Sequence, residues 1–381
     1  MKKVIYISHA HLSTKMIRDW YIDHLQECGV IVEFWDLIPL LFGEKNEAGA
    51  INREFIFIPS NYGEIEMRLR HPANRSATYI MMINYGGPFV RLYRLLSKYN
   101  CKIYFMAWGA FPYRKTSKWL KTINQFSAPL NLIKKVFYKV KGLAYRKLKL
   151  IKPFDVVFGA GYAILKSFPD AGKVVPTNLP DYDQYMKAKI KTNKIVEGRY
   201  AVFLDIYLPF QSDLAIVGLE PVNGEGYFSS LNRFFDDLEK IYEVKIVIAA
   251  HPKSDYKAET FQGRSIFHGQ TPELVSNADF VISHHSTSIS YAVLNLKPTI
   301  FIYTDEMKRL YKDTCLNSIQ AMASYLAATI YNIDDITQFD KYVIGDVNVE
   351  RYENYKYDFL TTRESEHVTA QEIFLHEIMK D

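Results

Sequence analysis

Residues 244–303 constrain the fold of this chain more than any other stretch, because three short apolar runs there are set off by polar or prolyl breaks. Val244–Ala249 halts at His251-Pro252-Lys253-Ser254, and Phe280–Ser283 halts at His284-His285-Ser286-Thr287-Ser288. Thr299–Tyr303 is led in by Lys297-Pro298. Runs this short, rich in β-branched residues and separated by helical patterns, predict parallel strands of an α/β unit. Ligands of such sheets bind off the carboxyl ends of the strands, so both polar clusters fall on one rim.

Each cluster has a chemical use at that place. Ser286 is positioned to N-cap a helix over Thr287–Leu296, whose free N–H groups would suit a phosphate, and Thr287 and Ser288 add hydroxyl donors. His251 can give a hydrogen bond or a proton to a departing phosphate oxygen, while Pro252 stiffens its loop.

The His-Pro pair followed 35 residues later by Ser-Thr-Ser resembles the nucleotide-binding half of bacterial GT-B sialyltransferases. The wider pattern, FLDIYLPFQSDL, then IVIAAHPKSDY, then ISHHSTSISYAVLNLKPTIFI, is similar to capsule and lipopolysaccharide transferases that use CMP-activated keto sugars. The likeness is specific over residues 199–305. It implies an α/β GT-B architecture, two doubly wound Rossmann-like domains with a cleft between them.

The rest of the chain reads accordingly. Lys3–Ser8 predicts a strand ending in His9-Ala10-His11, then a helix from Ser13 to about Cys28, then a strand over Val30–Trp35 ending at Asp36. Further strands are expected at Phe55–Pro59, Thr78–Ile83, Lys102–Ala107 and Asp155–Phe158. Gly86-Gly87-Pro88 lacks the spacing of a dinucleotide or Walker loop and reads as a plain turn. Residues 166–198, with Pro169, Pro176 and Pro180, read as an interdomain connector, and the D-x-D at Asp181-Tyr182-Asp183 inside it as a coincidence. The expected organisation is an acceptor domain over 1–185, a nucleotide-sugar domain over 199–350, and a tail over 351–381 whose helix Thr369–Met379 packs back on the first domain.

The charge is unevenly spread. Residues 1–185 carry 27 Lys/Arg against 14 Asp/Glu, and residues 114–152 carry 12 basic residues and no acidic one. That stretch, interleaved with Trp119, Phe126, Phe137, Tyr138 and Tyr145, fits a basic amphipathic segment on an anionic lipid surface. No nucleic-acid motif accompanies it. Cys28, Cys101 and Cys315 are too far apart for a metal site and read as buried thiols of a reducing compartment. The N-terminal apolar run is four residues long, too short for a signal peptide. These readings place the chain in the cytoplasm, peripheral on the inner face of the membrane.

The resemblance further implies an inverting glycosyltransferase that moves a nonulosonic-type sugar from its CMP donor to a hydroxyl of a surface glycan, with a lipid-linked glycan as the expected acceptor. No metal and no cofactor are expected, since protein groups would carry the phosphate charge. Donor contacts would come from His251, Pro252, Lys253, Ser254, Gly269, Glu273, His285, Ser286, Thr287 and Ser288, with Glu273 at the ribose. Asp205, closing the second domain's first strand, is the expected general base, with His9, His11 and Asp36 as acceptor-side candidates. A UDP-sugar transferase, a CDP-polyol phosphotransferase and a non-catalytic scaffold are the alternatives.

Overall fold

The computed structural model describes residues 2–43, 51–83, 85, 89–112, 140, 142, 144–190, 194–210, 219–311, 314–338 and 341–380. The chain divides into two compact units. The first holds the residues up to Gly109, the stretch ending at Asn178 and the C-terminal stretch from Glu364, and the second is chiefly Leu179–Arg363.

The first unit is built on seven parallel strands: β1 (Lys3–Ser8), β2 (Ile31–Asp36), β3 (Ile56–Phe57), β4 (Thr78–Met81), β5 (Lys102–Gly109), β6 (Val156–Ala160) and β7 (Lys173–Thr177). Their order is β3-β2-β1-β4-β5-β6-β7. Alternate residues enter two separate cores. Val4, Tyr6, Val32 and Phe34 lie on one face, and Ile5, Ile7, Trp35 and Tyr79 on the other. Burial on both faces is why these strands read as apolar runs without polar alternation.

The second unit repeats the plan with β8 (Tyr200–Leu204), β9 (Lys245–Ala250), β10 (Ile266–His268), β11 (Val281–Ser283), β12 (Thr299–Tyr303) and β13 (Thr329–Asn332). All pairings are parallel, in the order β10-β9-β8-β11-β12-β13. In each sheet the winding direction reverses once, beside β1 in the first and beside β8 in the second. Such switch points leave a crevice outside the strand ends where ligands bind.

Four expectations need correction. The helix expected from Ser13 to Cys28 is two helices, Thr14–Asp19 and Ile22–Glu27, split at Tyr21 with φ of 57°. The break lets consecutive aromatics serve one core: Trp20 stacks on Tyr6 and Phe34, and Tyr21 packs on Phe374. Successive positions of one straight helix would splay them about 100° apart.

The expected connector is largely ordered structure. Pro176 sits in β7, an edge strand that tolerates a missing donor, and Pro180 opens the helix Pro180–Ile190, where a proline N–H would be unpaired anyway. The division between units therefore falls at Asn178/Leu179, and the tail divides near Arg363 instead of standing apart. The helix Ala370–Met379 buries Phe374 and Ile378 in the first unit's core. Finally, Cys101 and Cys315 are buried but Cys28 is exposed. Gly86-Gly87-Pro88, expected as a turn, and residues 114–139, 141 and 143 of the basic stretch lie outside the described residues.

Candidate functional site

At the switch point of the second sheet, Asp205 leaves β8 and His284 leaves β11, while His251 leaves the neighbouring β9. Asp205 is 5% exposed. One carboxylate oxygen accepts the Tyr207 N–H at 2.9 Å, the other accepts the His251 N–H at 3.0 Å, and the Tyr256 hydroxyl reaches both at 3.1 Å. Burial pushes the Asp205 carboxyl up, against the opposing pull of these donors. Three donors, two backbone N–H groups and one hydroxyl shared between the oxygens, thus hold the carboxylate in place. The geometry of Asp205, the expected general base, is that of an anchor joining two strand exits.

The His251 loop is tightly folded. Nδ1 of His251 accepts the Lys253 N–H at 3.2 Å, which in the neutral ring puts the proton on Nε2 and makes that atom a donor. Ser254 returns its hydroxyl to the His251 carbonyl at 2.7 Å and lies 3.2 Å from Nε2 of His268 on β10. Pro252 and Lys253 are exposed. Gly269 follows β10 with φ of 71°, a left-handed turn position.

The adjacent histidines separate into two roles. His284 is fully buried; its Nδ1 donates to the Ile302 carbonyl at 2.7 Å and its Nε2 accepts from Tyr227 at 2.9 Å. Burial drives its pKa down to about 3, so this ring is a neutral strut between β12 and the helix Gly224–Tyr242. His285 is also kept neutral by burial, at about 4. Its Nδ1 is shielded from solvent and has no hydrogen-bond partner among the described residues. A shielded, unpaired ring nitrogen at a strand exit is a group that a ligand can satisfy.

The Ser286 cap is also corrected. The helix there is only Ile289–Leu294, its N-cap is Ser288, and no side chain caps it. Ser286 instead bonds the Ser288 N–H at 3.3 Å, and the Ile289 and Ser290 N–H groups are spent on the Ser286 and Thr287 carbonyls. Any anion here would meet the hydroxyls of Ser286, Thr287 and Ser288 and not an open helix end. Asp181, dismissed with its D-x-D, holds this helix from behind by accepting Ser290 Oγ at 2.6 Å. Glu273 is half-buried in the first turn of the helix Thr271–Asn277. Among the described residues no cluster of three His, Cys, Asp or Glu could hold a metal ion.

In the first unit, the other switch point carries a His–Asp dyad. Nδ1 of His11 lies 2.5 Å from Oδ2 of Asp36, whose Oδ1 accepts the Ile38 N–H at 2.9 Å. Asp36 is 3% exposed at the end of β2. A carboxylate on Nδ1 fixes the tautomer and leaves Nε2 as the basic atom. His9 does not join the dyad; it is exposed and meets Phe89 edge-on.

Sequence reasoning missed Tyr207, Tyr227 and Tyr256. Tyr207 adopts φ of 55°, and its ring runs parallel to the His251 imidazole with centroids 6.2 Å apart. With 28 tyrosines in the chain, nothing in their spacing singles these out.

No protein-family model matches the chain, and no curated protein does. Solved structures do. A variant of the wall teichoic acid polymerase TagF is 13% identical with a TM-score of 0.52, covering 100% of this chain and 89% of that one. A second TagF variant is 12% identical with a TM-score of 0.51, covering 99% and 89%. MurG of Acinetobacter baumannii is 11% identical with a TM-score of 0.48, covering all of both chains. The architecture, two α/β units each with a doubly wound parallel sheet, is the GT-B fold.

Proposed function

We propose that the protein is a GT-B transferase that extends a surface polymer from a nucleotide-activated donor. The observation that carries this reading is the convergence, at one switch point, of the anchored His251 loop and the His284–Ser288 turn. The first supplies an Nε2–H donor and the second supplies three hydroxyls and an unpaired imidazole nitrogen. Groups of this kind stabilise charge on a departing phosphate oxygen. The second unit thus binds the donor, with Glu273 at the ribose, and the His11–Asp36 dyad of the first unit takes the acceptor proton.

A nucleoside diphosphate donor, a UDP-sugar or a CDP-polyol, is the leading reading. It accords with the fold shared with a wall teichoic acid polymerase. A CMP-activated keto sugar is the second reading, favoured by the spacing of His251-Pro252 and Ser286-Thr287-Ser288. A thermal-shift panel of CMP, CDP, UDP and GDP separates them. Ligand at about a hundred times its dissociation constant adds roughly 2.7 kcal/mol of stability. The leading reading expects UDP or CDP to stabilise more than CMP; the reverse order selects the keto-sugar reading. If no nucleotide stabilises the protein, the transferase reading falls.

The acceptor side is proposed to work at an anionic membrane surface. The support is the composition of residues 114–152 and, at its described end, the exposed Val140, Leu148 and Leu150 among Arg146, Lys147 and Lys149. Basic residues near such a surface contribute about 1 kcal/mol each. Replacing Lys134, Lys135, Lys139 and Lys141 by Gln should release the protein from acidic liposomes while nucleotide binding persists. Undiminished co-sedimentation would refute a membrane role for the segment.

A further inference from the structure

We propose that Tyr256 and Asp205 form a positioning pair, in which the tyrosine hydroxyl holds the carboxylate so that it can fix the backbones of His251 and Tyr207 for the donor. This rests on the donor-site reading above and adds a residue that touches neither nucleotide nor reacting atoms.

The geometry requires a tie at this place. β8 and β9 are neighbours, but beyond Leu204 and Ala250 their chains part into separate loops. Across that gap the Asp205 carboxylate takes one N–H from each loop, and the Tyr256 hydroxyl bridges both its oxygens from five residues downstream of His251. The carboxylate also holds Tyr207 in its left-handed conformation, which an L side chain adopts only under constraint from its surroundings. Tyr256 is itself braced by its ring edges on Tyr207, Phe228 and Phe261. The hydroxyl is therefore a fixed donor.

Protonation is the weak point of such a tie. An ionised carboxylate accepts strongly at both oxygens, whereas a neutral one turns one oxygen into a donor and holds the facing N–H groups less tightly. The titratable groups facing Asp205 are His251, Tyr207, Tyr256 and, from the helix Gly224–Tyr242, Tyr227. Burial raises the carboxyl and the Tyr256 hydrogen bond lowers it, so removing that hydroxyl raises it further. Nucleotide binding should be strong above this pKa and fail as pH drops through it. In Tyr256→Phe the failure should begin at higher pH. Tyr256→Phe removes only the hydroxyl that bonds Asp205, so the difference between the two proteins reports that carboxylate.

The experiment is calorimetric binding of UDP and CDP from pH 5 to pH 8 by the wild-type protein, Tyr256→Phe and Asp205→Asn. Melting temperatures confirm that each variant folds. Tyr256→Phe should weaken binding roughly five- to tenfold at pH 7, in keeping with one lost hydrogen bond to a charged group acting at one remove. Its acid limb should move upward, and Asp205→Asn should lack that limb. Wild-type affinity and an unmoved limb in Tyr256→Phe would overturn the positioning pair alone. Failure of the wild-type protein to bind any nucleotide would instead overturn the transferase reading beneath it.

Discussion

His11→Ala is expected to lower turnover by roughly 10²–10⁴-fold, the usual contribution of a positioned general base, while leaving nucleotide affinity unchanged. The argument starts from β1 and β2, paired in register from Lys3 with Ile31 to Ser8 with Asp36. That register brings the end of one strand beside the residue that closes the other. Asp36 is buried, and its second oxygen is occupied by the Ile38 N–H, so the carboxylate cannot turn away from the imidazole. Asp36→Asn should cost nearly as much as His11→Ala, because an amide N–H presented to Nδ1 favours the tautomer whose Nε2 is already protonated. His9→Ala should lie within a few-fold of wild type, since its ring makes no bond to the dyad. Turnover of His11→Ala close to the wild-type rate would remove the dyad from the mechanism.

The sheets were legible in the sequence because their strands are buried on both faces. Runs such as Val244–Ala249 and Thr299–Tyr303 are then continuous and β-branched, and they end where the chain meets solvent. By the same logic the polar residues that end these runs gather at the switch point of the second sheet. What the sequence did not show were the partners of individual polar side chains and the turns between elements.

Asp205 sits at a strand end like many catalytic carboxylates, and only the fold shows that Tyr207, His251 and Tyr256 hold it. Ser286 precedes an apolar helical pattern, yet the chain uses two more residues, Thr287 and Ser288, to turn before Ile289 enters the helix. The prolines of 166–198 looked like linker punctuation. An edge strand and a first helical turn accommodate Pro176 and Pro180 equally well. His284 and His285 are indistinguishable as letters, but just beyond β11 one ring bonds Tyr227 and Ile302 while the other keeps a nitrogen with no partner among the described residues.

That division between the histidines makes the second unit acid-labile, with a loss expected to begin below pH 6.5. An unfolded chain protonates histidine near pH 6.5. In the folded chain burial holds His284 down to about 3 and His285 to about 4. Both folded pKa values are lowered, so the neutral forms contribute full stability above the unfolded pKa. As pH falls from 6.5 toward the folded values, the unfolded state takes up protons that the native state refuses. Each group then costs about 1.4 kcal/mol per pH unit, and stability drops accordingly.

His284 should dominate, because it is fully buried and bonded at both nitrogens, whereas His285 is partly exposed. Asp205 works the other way at lower pH: its raised carboxyl binds a proton more readily when folded, which offsets part of the loss. The contribution of His284 is isolated by comparing the wild-type protein with His284→Gln, an amide that can keep a bond to Tyr227 but does not titrate. Urea unfolding at pH 7, 6 and 5, read by hydrogen exchange of the β11 and β12 amides, should show a steep decline for the wild type. The variant should be less stable at pH 7 and visibly flatter below it. Parallel slopes in the two proteins would mean that His284 is not a neutral strut, and that acid sensitivity in this unit arises elsewhere.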